Sequence, residues 1–433
     1  MKRYMSSEIN SNFDGRKVAI GGWAQNIRII GKLAFIKLRD REGLVQITVK
    51  KDNPNFEKIK NLSPESVIYV EGSVKKSNVA ERGFEIIPEK IDIISLADVP
   101  LPIDFSGKVN TSLAKRLDYR WIDLRNPRNM LIFKVMHSFE KGLREYFSKE
   151  GLLEIHSSRF MDSPSESRAE LFEVKYFKRK AYLSQSPQFY KQMAMCAGFD
   201  KVFEIAPMFR ADPSKTARHT TEFISIDVEM SWTDYEELMK FHERAIKQSI
   251  EHVIEELGDE VKEKMGIEIK SPKMPFPRIT MKEAIEKVKG VSIENIDEFY
   301  ELDPEGEKAL GDYIKKRYNS DFVFLTDFPF AVRPFYHMKK EGELTKSYDL
   351  IYKGVEISTG SQREHRYNTL LKQVKEKGLN PEGLRHYLSF FKYGAPPHSG
   401  FGMGSARFIM QLLELGNVKE ATLLPRDMER LTP

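Results

Sequence analysis

A chain of 433 residues is too long for one ordinary core, so two domains are expected, one of them large. With 40% hydrophobic and 31% charged residues it reads as a soluble globular protein. No apolar run approaches a membrane span, and the polar stretch 1–15 lacks the apolar core of a secretory signal. Cys196 is the only cysteine, which excludes an intramolecular disulfide and a cysteine-rich zinc site and suits a cytoplasmic location; the net charge of +5 permits nucleic-acid binding without arguing for it.

In chain order, Val18–Trp23, Leu33–Leu38, Leu44–Val49, Ser66–Val74 and Phe84–Ile94 are β-rich runs, with turn chemistry at Asp40–Gly43 and Lys51–Asn55. Five strands in so short a stretch suit a small barrel of the OB type over residues 1–102, a fold whose open face commonly binds single-stranded nucleic acid; a sandwich fragment is the alternative. Residues 103–128 read as a linker and hinge. Pro100, Pro102 and Gly107 mark its beginning, and the arginine- and aspartate-rich run Arg116–Arg125 could be salt-bridged. From residue 129 to the end the pattern becomes α+β. Met130–Lys149 is an amphipathic helix stopped at Gly151, with a strand over Leu152–His156. Leu238–Leu257 is a second helix, with Leu238, Phe241, Ala245, Ile246, Ile250, Val253, Ile254 and Leu257 on one stripe. Strand pairs between and after these helices argue for a mostly antiparallel sheet flanked by helices.

The strand Phe223–Met230 alternates. Ile224, Ile226, Val228 and Met230 face a core, and Ser225, Asp227 and Glu229 face the other way. Alone, this is any half-buried strand. Beside it, however, runs a second strand, Phe203–Arg210, joined through the polar loop 211–222, which holds Lys215, Arg218 and His219. Further on, a tight turn at Lys353–Gly354 pairs 351 with 356 and 349 with 358, so that Asp349 and Glu356 share a face within reach of one cation, unless they are simply surface carboxylates. Hard oxygen ligands together with a polyphosphate are how Mg²⁺ is normally held. Arg363 follows close by in Gly360–His365. The run Gly400-Phe-Gly-Met-Gly-Ser-Ala-Arg407 does not fit the dinucleotide fingerprint, because no βαβ unit follows it. It reads better as a strand needing close backbone approach, entering a helix at Ser405 that aims Arg407 at an anion or an adenine face.

Taken in order, these motifs resemble the class II aminoacyl-tRNA synthetases, and within them the archaeal-type aspartyl enzymes, over essentially the whole chain. The matching stretches are Arg116–Arg125, Gln185–Lys191, Phe209–Asp212 with Arg218–His219, Gly354–Ser358, the glycine run to Arg407, and Leu424–Pro433. The resemblance implies an ATP- and Mg²⁺-dependent aspartate–tRNA ligase, working as a homodimer on L-aspartate and tRNA-Asp, with charging of tRNA-Asn left open; the alternatives are an asparaginyl-tRNA synthetase or a catalytically weak tRNA-binding paralogue. It implies that Arg210 contacts the α-phosphate and the substrate carboxylate, that Arg218 and His219 hold the outer phosphates, and that Thr220 belongs to the ATP site. Phe223 would stack on adenine and Arg407 would cover its other face or the γ-phosphate. Ala211, Asp212, Gly404, Ser405 and Ala406 complete the nucleotide set, Asp212 standing where the family usually has a glutamate. Asp349, Glu356 and Thr359 would carry Mg²⁺. The amino acid would meet Glu166, Gln188, Ser225, Asp227 and Thr359, with Lys191 and Arg363 taking its side-chain carboxylate; asparaginyl enzymes of this architecture lack the lysine. Arg28, Phe35, Gln46 and Glu85 match anticodon-reading positions, Phe35 being otherwise a core residue, and Gln25 and Glu81 match positions that accept or reject tRNA-Asn.

The chain departs from the family pattern in four places. Ser158 replaces the proline that ends the first motif, and Ser167-Arg168 replaces the glycine pair after Glu166. Ala406 replaces the acidic residue before the last arginine, and Gln25 with Glu81 fits neither familiar tRNA-Asn combination.

Overall fold

The computed structural model describes residues 2–162, 171–213, 216–288 and 302–433. The chain divides into two compact units, Met1–Pro102 and Ile103–Pro433. The first is an OB-like sheet of β1 (Lys17–Ile30), β2 (Leu33–Arg39), β3 (Leu44–Lys50), β4 (Val67–Lys76) and β5 (Phe84–Ser95). Strict alternation builds it. Ala34, Ile36 and Leu38 of β2 and Val45, Ile47 and Val49 of β3 are buried together with Ile68, Val70 and Ile86, while Phe35, Lys37 and Gln46 point the other way. Strand β1 runs past its expected end at Trp23, because the register shifts between Ala24 and Asn26; Gln25 is the extra residue of a bulge, which re-aims the strand and lets it continue.

The second unit is built on an eight-stranded sheet of β6 (Leu153–Glu154), β10 (Lys201–Phe209), β11 (Glu222–Ser231), β12 (Arg278–Thr280), β13 (Phe322–Thr326), β14 (Ser347–Tyr352), β15 (Val355–Gln362) and β16 (His398–Gly404). Their order is β12-β13-β14-β15-β16-β11-β10-β6. The sheet is mixed, since its centre is antiparallel while β12–β13 and β10–β6 run parallel. A small separate sheet holds β7 (Phe160–Met161), β8 (Glu173–Tyr176) and β9 (Arg179–Leu183).

The long helices Pro127–Lys149 and Tyr235–Met265 pack together and against the sheet. Each begins three residues before its apolar stripe, where a cap satisfies free N–H groups: Asn126 with Pro127 behind it, and Asp234 with Glu237 in a capping box. The second runs on to Gly266, whose left-handed backbone ends it. Their buried stripes join Ile226, Val228, Met230, Phe401 and Phe408 in one core. The arginine-rich run forms two short helices, Leu113–Asp118 and Arg120–Asp123, and is indeed salt-bridged. Arg120, only 1% exposed, binds Asp123 at 2.7 Å and donates to the carbonyls of Glu420, Thr422 and Leu423. The run is thus fastened to the other end of the chain.

Candidate active site

The polar face of β11 is not solvated as a lone strand would be. Ser225, Asp227 and Glu229 are buried, and β16 runs beside them in the sheet, pairing Gly404, Gly402 and Gly400 with those same residues. A Cβ at Gly400 would overlap the Glu229 carboxylate, and one at Gly402 would stand 3.1 Å from Asp227 Oδ1. The alternating glycines therefore make room for a row of acids inside a sheet, which is the close approach the sequence suggested.

Two cations answer that row. Lys191 comes from the helix Gln188–Cys196, and its Nζ lies 2.9 Å from Asp227 Oδ1 and 3.4 Å from Glu229 Oε2. Arg363, just beyond β15, donates to Glu229 from Nε at 3.0 Å and from Nη2 at 3.3 Å, and from Nη1 to Ser361 Oγ at 2.6 Å. Burial pushes the Glu229 carboxyl up, but Arg363 and Lys191 outweigh it and hold it below the usual range. Ser225 Oγ donates to Asp227 at 2.5 Å. A polar scaffold behind them is closed by Gln192, which bonds Gln188, Tyr387 and His398.

The β14–β15 hairpin differs from the expected register in one respect. Ile351 pairs with Glu356 as expected, but Leu350 then faces Ser358, so Asp349 opposes Thr359 instead of 358. This bulge changes which residues share a face. It brings Thr359 between the two carboxylates, its hydroxyl donating to Asp349 Oδ1 at 2.8 Å and to Glu356 Oε1 at 3.1 Å. Burial pushes Asp349 above the usual carboxylate range; Arg333, at 2.7 Å, opposes the shift and Glu356 adds to it. Among the described residues no cluster of three or more His, Cys, Asp or Glu forms a self-sufficient metal cage. Two crowded carboxylates and a hydroxyl are a hard-oxygen set suited to an ion shared with a polyphosphate.

Lys191, Ser225, Asp227, Glu356, Thr359 and Arg363 line a cavity of about 410 Å³ whose wall also includes Gln188, Arg210, Asp212, Arg218, His219, Thr220, Phe223, Gly404, Ala406 and Arg407. The Arg210 guanidinium lies 5.3 Å from the centre of the Phe223 ring. Arg407, without an acidic neighbour, is aimed by main chain: its Nη1 donates to the carbonyl of Glu356 at 3.0 Å. Ala406 instead packs in the core. Burial, with Arg407 nearby, lowers the pKa of His219.

Of the other candidates, Ala211, Asp349 and Ser405 stand behind the cavity wall. Ser405 is buried and donates to Glu140 of the first long helix. Glu166, Ser167-Arg168 and Lys215 lie outside the described residues. Ser158 donates to the carbonyl of Phe160. Sequence reasoning missed Arg333, Tyr336 and His337, which line the cavity from an irregular segment, and Glu307, which binds Arg218 at 2.8 Å. Burial, with Glu356 adding to it, pushes Glu307 up to about 7 despite Arg218. An arginine before Pro334 and a glutamate in a polar helix carry no pattern that marks them.

In the first unit, Arg28 opposes Phe35 and Phe35 opposes Thr48 across the outer face of the sheet. Phe35 is half-buried on that face and outside the core. Next to them Glu85 Oε2 accepts from Thr48 Oγ1 at 2.6 Å and from Gln46 Nε2 at 3.1 Å. Glu81 pairs with Lys37 at 3.0 Å on the surface.

An acid-lined glycine strand, a nucleotide-sized cavity rich in arginine, and an OB-like sheet define the class. Residues 112–428 match the family model of class II tRNA synthetases (D, K and N), and residues 18–94 match the OB-fold nucleic acid binding domain. The chain belongs to the class II tRNA synthetases of that group. It is 46% identical over 439 residues to the aspartate–tRNA(Asp) ligase of Pyrococcus horikoshii, with both chains covered in full. It is 40% identical over 439 residues to the aspartate–tRNA(Asp/Asn) ligase of Methanopyrus kandleri, again with both covered in full. Among solved structures it is similar to asparaginyl-tRNA synthetase from Pyrococcus horikoshii complexed with asparaginyl-adenylate, at a TM-score of 0.91 and 33% identity with both chains covered in full. It is also similar to aspartyl tRNA synthetase from Entamoeba histolytica, at a TM-score of 0.87 and 32% identity, covering 100% of this chain and 93% of that one.

Proposed function

We propose that the chain is an aspartate–tRNA ligase. A carboxylate oxygen of L-aspartate attacks the α-phosphorus of ATP, the bond to the β-phosphate breaks and pyrophosphate leaves; a terminal hydroxyl of tRNA-Asp then attacks the carbonyl carbon and AMP leaves. The observation that carries this reading is the pair Lys191 and Arg363, which line the cavity, are both buried and converge on Glu229 behind them. A substrate carboxylate satisfies such a pair. An asparagine amide would turn a donor toward donors, which costs several kcal/mol when buried.

Arg210 stabilises the charge that builds at the α-phosphate, Phe223 and Arg407 enclose the adenine, and Arg218 with His219 takes the outer phosphates. Gln188, Ser225 and Asp227 form the subsite for the aspartate ammonium. Asp349, Glu356 and Thr359 would hold Mg²⁺, which neutralises polyphosphate charge when bound. The OB-like sheet acts as a closed barrel presenting Arg28, Phe35, Gln46 and Glu85 to unstacked anticodon bases. The protein works as a homodimer. Leu153 on the edge strand β6 and Phe160 on β7, about half exposed at 54% and 51%, support that reading.

Asparagine is the competing substrate, because a solved relative of the same architecture carries asparaginyl-adenylate. Relatives named for tRNA-Asp alone and for both tRNAs match over the full chain, so the tRNA range turns on the bulged Gln25 and the Lys37-paired Glu81. Aminoacylation of separately prepared tRNA-Asp and tRNA-Asn tests the proposal. Aspartate attached to tRNA-Asp supports it, and no aspartate on either tRNA refutes it.

A further inference from the structure

Most carboxylates that hold the cavity's cations belong to the central sheet: Asp227 and Glu229 on β11, and Asp349 on β14. Glu307 does not. It sits in the first turn of the helix Pro304–Tyr318, whose N-terminus is capped by Asp303. That helix is seated on the β14–β15 turn so closely that a Cβ at Gly311 would stand 2.6 Å from the backbone of Gly354, and one at Gly354 would stand 2.8 Å from the Cα of Lys308. The carboxylate of Glu307 also accepts from the backbone N–H of Glu356. Glu307 is therefore mounted on the strand that carries Glu356, and it reaches across to Arg218 of the loop between β10 and β11.

The geometry of that contact is informative. Glu307 receives Nη1 of Arg218 at 2.8 Å, and both side chains are largely buried, 25% exposed for the arginine and 16% for the glutamate. A guanidinium held along one edge by a fixed carboxylate still presents Nε and Nη2 as a fork, the geometry that matches two phosphate oxygens. A long arginine anchored in this way loses little further freedom when an anion arrives.

We propose that Glu307 is a positioning residue for the outer phosphates of ATP, holding Arg218 so that its free edge faces the polyphosphate. This rests on the reading of the cavity as an ATP site. Glu307 acts as an anchor, not a competitor: it remains bonded to Arg218 when ATP is bound, and its removal weakens ATP.

The test compares wild type, Glu307→Gln, Glu307→Asp, Arg218→Ala and the double variant Glu307→Gln/Arg218→Ala. Direct binding of ATP and of AMP is measured by calorimetry, together with KM values for ATP and aspartate in pyrophosphate exchange. Glu307→Gln should weaken ATP about tenfold, the size of one lost charge-assisted hydrogen bond, while leaving AMP binding and KM for aspartate unchanged. Glu307→Asp should recover part of the loss, and Glu307→Gln should add nothing in the Arg218→Ala background. AMP lacks the outer phosphates, so a loss shared equally by ATP and AMP would mark a merely structural role and overturn the proposal. Tighter or unchanged ATP binding in Glu307→Gln would overturn it as well. If wild type itself binds no ATP, the reading of the cavity fails first, and that outcome is separate.

Discussion

At the scale of single residues, the cavity is a balance of charges in which Lys191, Arg218, Arg333 and Arg363 are each placed by an acid. Lys191 is 2% exposed and tied to Asp227 and Glu229. Lys191→Met removes the charge at similar volume and leaves Asp227 bonded to Ser225 and Glu229 bonded to Arg363. It should raise KM for aspartate about 100-fold or more, the scale of a lost buried charge contact, with AMP binding unchanged; unaltered aspartate kinetics would show that the lysine does not face the substrate. The residues legible in the sequence were those in ordered local motifs, such as Lys191 in Gln185–Lys191 or Arg407 at the end of the glycine run. Glu307 and Glu229 were not read as partners because their roles arise from contacts 89 and 134 residues away along the chain. No local period encodes such a pairing. The role of Ala406 was equally hidden, because Arg407 is aimed by a carbonyl, and every residue has one.

At the scale of elements, alternation and apolar stripes made the strands and the two long helices legible, although β1 and the helix Tyr235–Met265 run well past their expected ends at Trp23 and Leu257. Bulges were not legible. The extra residue at Gln25 lengthened β1, and the shift between Leu350 and Ile351 moved Thr359 opposite Asp349. Both depend on neighbouring strands, not on the sequence of the strand itself. The helix Tyr235–Met265 carries a further consequence. His242 is fully buried on it, stacked on Phe401 at 3.8 Å with its Nδ1 3.2 Å from the Tyr348 hydroxyl, and burial lowers its pKa to about 3. The folded pKa lies below the unfolded one, so the contribution is present above about pH 6.5 and is lost as pH falls below it. From pH 7 to pH 5 this single group should cost about 2 kcal/mol of stability. His242→Phe keeps the stack and should flatten the pH dependence by that amount in denaturant unfolding at the two pH values. An identical dependence in the variant would mean that the imidazole charges freely in the folded protein.

At the scale of the whole molecule, the chain forms two compact units, and the proposed function divides the work between them, chemistry in the second and RNA reading in the first. The five strands of the OB-like unit were legible from alternation and turn residues, but spacing alone left a sandwich fragment as an alternative to the OB type. The catalytic unit was legible as a mixed α and β layer, but its sheet order was not, because β16 inserts between β11 and β15 from far along the chain. The division predicts that Phe35→Ala, on the outer face of the first unit, lowers the rate of tRNA charging at limiting tRNA by about tenfold, the value of one base stack. Pyrophosphate exchange in the same variant, which needs no tRNA, should stay at the wild-type rate; a parallel fall in both would contradict the division. The central claim is that the paired Lys191 and Arg363 select aspartate. Pyrophosphate exchange by the wild-type protein, with aspartate or asparagine as the only amino acid, tests it most directly. The account predicts exchange with aspartate and none above background with asparagine, and exchange with asparagine alone would contradict it.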